Sequence, residues 1–151
     1  MIQISHGDLL KSDADALVNT VNCVGVMGKG IALAFKKAYP GNYKAYGDAC
    51  KAGGVATGTM FVTEPGDMFG PKWIVNFPTK RHWRDPSQMA WIESGLEALV
   101  AFVKAKQIRS IAIPALGCSN GGLAWEQVRP RIENAFRDLV ETQVTLFTGI
   151  R

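Results

Sequence analysis

The sequence predicts an α/β layered fold built on a largely parallel sheet. Two observations carry this. Short apolar runs alternate along the chain with segments whose apolar residues recur at helical spacing. The polar, glycine-rich segments follow the strand ends, where an open parallel sheet places its ligands.

The elements follow in order. "IQIS" (2–5) alternates apolar and polar residues and reads as a first strand. "ALVNTVN" (16–22) is a short apolar run ending in asparagine, a buried strand reaching a loop. Ile31, Ala34, Phe35 and Ala38 fall at helical spacing, and Pro40 stops that helix. Tyr43, Tyr46, Gly47 and Cys50 suggest a second helix, ended by Gly53 and Gly54. "GTMFVTE" (58–64) and "WIVNFP" (73–78) read as strands, and Ile92, Leu96, Leu99 and Val103 as a long helix. "SIAIPALG" (110–117) is a central strand. Val128, Ile132, Ala135, Phe136 and Leu139 give another helix, and "QVTLFT" (143–148) a last strand.

With 151 residues the chain fits one domain, 1–151. A domain of that size buries roughly 70% of its unfolded surface and needs no covalent staples. Its 47% hydrophobic and 20% charged residues are ordinary for a globular protein. Three cysteines without close spacing support neither a disulfide framework nor a zinc site, so a reducing compartment is expected. "MIQISHGDLL" lacks a signal peptide's charged start and apolar run. No apolar run approaches the ~20 residues of a membrane span, so no membrane partner is expected. The net charge of +4 gives a mild bias toward phosphates or nucleic acid.

Four segments can carry chemistry. "VNTVNCVGVMGKGIALAF" (18–35) runs from a strand through Gly25, Gly28 and Gly30 into a helix. Glycines admit backbone N–H groups close to a phosphate, and a helix N-terminus favours an anion. The spacing is neither the dinucleotide fingerprint nor a Walker A loop, which weakens a nicotinamide-dependent oxidoreductase. "PALGCSNGGLAW" (114–125) likewise leaves a strand, crosses Gly117, Gly121 and Gly122, and enters a helix. Two such loops suggest two phosphates, or a phosphate and a sugar, held from both sides. Asn19, Asn22 and Asn120 can bond ribose hydroxyls, against the alternative of turn residues bonding their own backbone. In "HGDLL" (6–10), Asp8 either accepts from the exocyclic amine of a base or caps a short helical turn.

The fourth segment is "NFPTKRHWRDPS" (76–87), where Lys80 has Arg81, His82 and Arg84 around it. Desolvation and neighbouring cations both lower a lysine's pKa and free its amine for attack on a sugar's anomeric carbon. Trp83 can stack on a nucleobase while the arginines follow a nucleic-acid backbone. A solvated basic loop with Trp83 as a lid is the plain alternative. Cys23 and Cys118 lie in the glycine loops and read as small buried residues. No grouping of His, Cys, Asp and Glu has metal-ligand spacing.

"GDLL", "VNTVNCVGVMGKGIALAFKKAYP", "FPTKRHWR" and "PALGCSNGGLAW" occur in this order over nearly the whole chain. Together they resemble a macrodomain, the ADP-ribose-binding fold. The versions "VNCVGVMGKGIA" and "TKRHWR" resemble the branch that holds the human terminal ADP-ribose protein glycohydrolase and the DarG DNA ADP-ribosyl glycohydrolases. That resemblance implies a three-layer α/β/α architecture with a central mixed, largely parallel sheet. It implies a hydrolase that cleaves an N-glycosidic bond, with ADP-ribose as ligand and product and no cofactor. The adenine end goes to Asp8 and Leu9, and Asn22 faces the distal ribose with the turn of Gly28, Lys29, Gly30 and Ile31 beside it. The segment from Gly117 through Cys118, Ser119, Asn120, Gly121 and Gly122 to Leu123 wraps the diphosphate.

Lys80 matches the catalytic lysine, acting at the distal ribose C1″, and Arg81, His82, Trp83 and Arg84 become candidate DNA contacts. The implied substrate is single-stranded DNA carrying ADP-ribose on thymidine. The implied partner is a DarT toxin, restrained through a C-terminal region that this chain lacks, which makes the chain the N-terminal domain of a longer, cytoplasmic bacterial antitoxin. Two departures stand out. The human relative pairs its lysine with an aspartate where this chain has Gly121, and no acid occurs between Pro114 and Trp125. Ser119 stands where glycine is expected. A reader of ADP-ribose without catalysis, and a hydrolase of ADP-ribosyl esters on proteins, remain the alternative functions.

Overall fold

The structure is a computed structural model and describes residues 1–148. Strands β1 (Ile2–Ser5), β2 (Ala16–Val21), β3 (Phe61–Thr63), β4 (Trp73–Pro78), β5 (Ser110–Pro114) and β6 (Gln143–Phe147) form one sheet in the order β1-β6-β5-β2-β4-β3. Every pairing is parallel except that of the edge strand β3, which runs antiparallel to β4. The sheet is mixed and largely parallel, as expected.

Helices α1 (Gly30–Ala38) and α2 (Pro40–Lys51) cover one face, and α3 (Met89–Lys106) and α4 (Trp125–Phe136) the other. The alternation of a strand explains the division. Ala16, Val18, Val75 and Phe77 join Ile92, Leu96, Leu99, Val128, Ile132 and Phe136 in the larger core. Leu17 and Ile74, one residue out of step, pack with Phe35 on the opposite face. Both faces of β2 are covered, which is why it reads as a continuous apolar run.

Several boundaries differ from expectation; the central strand, expected over 110–117, stops at Pro114. Pro40 does not merely end the first helix; it opens α2, where its missing N–H is no loss. The strand expected over 58–64 pairs only at Phe61–Thr63, because Gly58 lies at φ +86° and Thr59 N–H turns back to Ala56 O. The last helix stops at Phe136 rather than reaching Leu139.

Two packing details fix the frame under the site. Gly95 lets α3 approach β4 so closely that a Cβ there would overlap the Phe77 ring. On the other face, Asn19, Asn42 and Asn76 form a buried amide cluster. Asn76 Nδ2 donates to Asn42 Oδ1 (2.9 Å) and to Phe61 O (3.0 Å), and Asn19 Nδ2 donates to Asn76 Oδ1 (3.3 Å). Thr63 Oγ1 adds a bond to Asn42 Oδ1 at 2.7 Å, so the cluster ties β3 to α2. Asn19 therefore serves the sheet and is absent from the cleft described next.

Candidate active site

The carboxyl ends of the five parallel strands converge on one cleft of about 1130 Å³. Each contributes the segment that follows it, as an open α/β sheet requires. Asp8 follows β1, the first glycine loop follows β2, Lys80 follows β4, the second glycine loop follows β5, and Phe147 and Thr148 close β6.

The first loop is shaped by Asn22. Its Oδ1 accepts from Val24 N–H (3.0 Å) and Val26 N–H (3.3 Å), and its Nδ2 donates to Val26 O (2.8 Å). Tyr46 hydroxyl donates to the same Oδ1 at 2.8 Å. Asn22 lines the cleft, but its polar atoms are largely committed to holding the loop. The loop delivers the chain to α1, which has no side-chain cap and no acidic residue in its first turn. The first N–H groups of α1 thus keep no helical acceptor, and Lys29 adds its charge at that same positive end. Backbone donors and one ammonium thus meet at this end of the cleft, an arrangement suited to an anion. Gly28, Gly30 and Ile31 line it.

The second loop faces the first. A Cβ on Gly30 (φ +56°) would stand 3.5 Å from Asn120 Nδ2, so the two loops nearly touch. Gly117, Cys118, Ser119, Asn120 and Gly121 line the cleft; Gly122 and Leu123 do not. Leu123 instead donates its N–H to Gly117 O at 2.9 Å, closing the base of the loop. Gly121 is buried, and a Cβ there would run into Ser87 Oγ and Gly117 O. No side chain fits at 121 in this arrangement, an aspartate included.

Lys80 reaches the same cleft, its Nζ donating to Trp83 O at 3.3 Å. Its pKa is lowered, first by desolvation and next by the charge of Lys29, with Asp85 opposing. The sequence pointed instead to Arg81, His82 and Arg84 as the depressing cations, and the structure corrects this. Arg81 lays its guanidinium over Trp91 at 4.9 Å, Arg84 lies over Trp83 at 4.6 Å, and His82 packs tilted against Trp83 at 5.2 Å. Adjacent residues in this bent, turning loop point different ways, so their charged ends do not gather around the Lys80 amine. The cation that matters comes from the first glycine loop. Trp83 and Arg84 line the cleft mouth; Arg81 and His82 do not.

Asp8 caps the 3-10 turn Leu9–Lys11, accepting from Leu10 N–H at 3.0 Å, so the capping reading holds, and it also lines the cleft. Leu9 is buried beneath it. The thiols are poor nucleophiles. Burial raises the Cys23 pKa, and burial with Glu126 pushes Cys118 up to about 11. Cys23 contributes structurally, donating Sγ–H to Lys80 O at 3.4 Å and N–H to Arg81 O at 3.2 Å. Among the described residues no group of three His, Cys, Asp or Glu could hold a metal ion.

The sequence reading did not single out His6, Thr20, Thr79, Phe147 or Thr148, all in the lining. His6 Nδ1 lies 3.0 Å from Thr148 Oγ1, a contact across 142 residues. Their common signal is position: each stands at the carboxyl end of a parallel strand.

The comparisons with known proteins agree with this geometry. The Macro domain model matches residues 18–132. A DNA ADP-ribosyl glycohydrolase of Mycobacterium tuberculosis is 52% identical over 97% of this chain, which spans 42% of that relative. The macrodomain of Mycobacterium tuberculosis DarG superposes with a TM-score of 0.96 at 52% identity, covering 97% of both chains. That of Thermus aquaticus DarG superposes with a TM-score of 0.94 at 49% identity, covering 98% of both. Thermosipho africanus DarTG in complex with ADP-ribose gives a TM-score of 0.88 at 35% identity, covering 99% of this chain and 42% of that one. The chain thus spans well under half the length of the DNA ADP-ribosyl glycohydrolases it matches. The family match covers most of the sequence and the DarG macrodomains overlie it end to end, so the chain belongs to the macro domain family.

Proposed function

We propose that this domain is a DNA ADP-ribosyl glycohydrolase that removes ADP-ribose from thymidine bases of single-stranded DNA. The observation that carries the reading is Lys80. Its amine shares one cleft with both anion-binding loops, and its pKa is lowered by burial and by Lys29. The name shared by the Mycobacterium tuberculosis and Thermus aquaticus relatives supports it.

In this reading the α1 N-terminus, Lys29 and the second glycine loop hold the diphosphate, and Asp8 takes the adenine amine. Asn22 and the Gly28–Gly30 turn flank the distal ribose. The C1″–N bond breaks, the base leaves with a proton, and water supplies the hydroxyl that ends on C1″. The neutral form of Lys80 acts at C1″, and the protonated form neutralises charge on the leaving base. Trp83 and Arg84 at the mouth meet the DNA strand. In the longer protein this domain is the N-terminal part of an antitoxin against a DarT-type toxin in the bacterial cytoplasm. A Thermosipho africanus relative named as a transferase–glycohydrolase fusion supports that pairing.

The test is a single-turnover assay on an oligonucleotide carrying ADP-ribosyl-thymidine. The domain restores the oligonucleotide and Lys80→Ala does not, while both bind ADP-ribose. A Lys80→Ala variant working at full rate would falsify the role of the amine. Salt separates substrates: contacts to phosphates of single-stranded DNA make affinity fall steeply with salt, by roughly the 0.7 power of concentration per phosphate neutralised. An ester on a protein carboxylate shows a much flatter response. A second reading, a binding module without catalysis, draws on the second glycine loop. It holds no carboxylate, and Gly121 has no room for one. It predicts ADP-ribose binding with no product from either substrate.

A further inference from the structure

Ser87 lies at the end of the segment that begins with Lys80, just before α3. It is 6% exposed, and its Oγ has no hydrogen-bond partner among the described residues. A buried hydroxyl left unpaired in a native fold is uncommon and calls for a physical reason.

Its surroundings supply one. Ser87 N–H donates to Gly121 O at 2.9 Å. Its Oγ occupies the space a Cβ on Gly121 would need, and its Cβ stands 3.2 Å from where a Cβ on Gly117 would lie. The second glycine loop therefore rests on Ser87 at both ends. Within that loop the N–H groups of Ser119, Asn120, Gly121 and Gly122 have no backbone acceptor among the described residues. They are free to turn toward an anion. In a trans peptide the carbonyl points opposite to its N–H. An anion that draws these N–H groups to the cleft side swings carbonyl oxygens to the underside, where the Ser87 hydroxyl waits.

We propose that Ser87 is a positioning residue for the diphosphate loop: its hydroxyl takes up its missing hydrogen bond when the loop closes on ADP-ribose. This rests on the reading above that the loop wraps a diphosphate. The residue stabilises the ligand-bound loop more than the ligand-free one, and it does so from outside the cleft.

The test is calorimetric titration of ADP-ribose into the domain and its Ser87→Ala and Ser87→Cys variants, with melting curves of each without ligand. The alanine variant binds ADP-ribose about tenfold more weakly, the scale of one hydrogen bond. Ser87→Cys, which keeps a weak donor of similar size, recovers part of that. Without ligand, the alanine variant melts no lower than the parent, because it has lost an unpaired buried hydroxyl rather than a bond. A group serving only to pack the fold gives the reverse pattern, a lower melting point with unchanged affinity. Affinity within twofold of the parent overturns the proposal; should the alanine variant not fold, Ser87→Gly, also without the hydroxyl, decides by the same measure. On the oligonucleotide the loss falls mainly on KM, with kcat reduced by less. Titration needs no turnover, so a parent that binds ADP-ribose but never repairs the oligonucleotide sinks the proposed activity and leaves the Ser87 result standing.

Discussion

Lys80 carries a charge where the protein makes charge costly. Burial and Lys29 both disfavour its protonated form, so the folded state holds that proton less tightly than the unfolded chain does. The sign of the linkage follows. Below the lowered pKa, protonated Lys80 subtracts from stability; the deficit is relieved as pH rises through that pKa and is gone above the ordinary lysine value of about 10.4. Lys80→Met is expected to flatten this rise in a series of melts across alkaline pH. Turnover should climb over the same range if the neutral amine attacks, and Lys29→Ala should move the inflection upward. A profile unmoved by Lys29→Ala would show that the two amines do not feel each other. At Cys118, the thiol pKa of about 11 predicts slow alkylation by iodoacetamide at pH 8, with the rate rising toward pH 10.

Lys80 and the glycines were legible in the sequence because their residue types are unusual in those places. Ser87 was not, since a serine before a helix is unremarkable until the loop resting on it is seen. The directions of Arg81, His82 and Arg84 were equally closed to sequence, because a loop without a period gives side chains no predictable face.

Elements show the same division. The alternating strands and the helices at 3.6-residue spacing stand where the pattern put them, since burial on both sheet faces writes itself into hydrophobicity. Edges were harder. The strand expected over 58–64 shrinks to Phe61–Thr63, and what holds it is a side-chain cluster, which no periodicity reports. Asn42→Ala removes the acceptor of Thr63 Oγ1 and one of the two acceptors of Asn76 Nδ2, and is expected to cost about 1–3 kcal/mol for polar groups left underbonded. Denaturant melts measure it, and faster hydrogen exchange in β3 would show the edge loosening. Gly95→Ala tests the opposite face. A methyl driven against the Phe77 ring is expected to cost about 1–3 kcal/mol by overpacking. A variant as stable as the parent would mean that α3 lifts off β4 freely.

Over the whole molecule, positive charge is modest in total yet gathered at the cleft through Lys29, Lys80 and Arg84. The fold class was legible at this scale because alternation of strand and helix leaves few topologies open. The strand order was not, because it is set by which ends meet across long stretches of chain. Binding of ADP-ribose should raise stability by about 2.7 kcal/mol at a hundredfold excess over Kd, read as a rise in melting temperature.

The pairing of β1 with β6, Ile2 beside Val144, has a kinetic consequence. Contacts between distant parts of a chain form slowly, after loop-closure entropy has been overcome. As the ribosome delivers the chain, β1 emerges first and has no place to dock until β6 exists. His6 and Asp8 travel with it. The cleft therefore forms last, and a chain stalled before β6 carries every described helix yet lacks the complete binding surface.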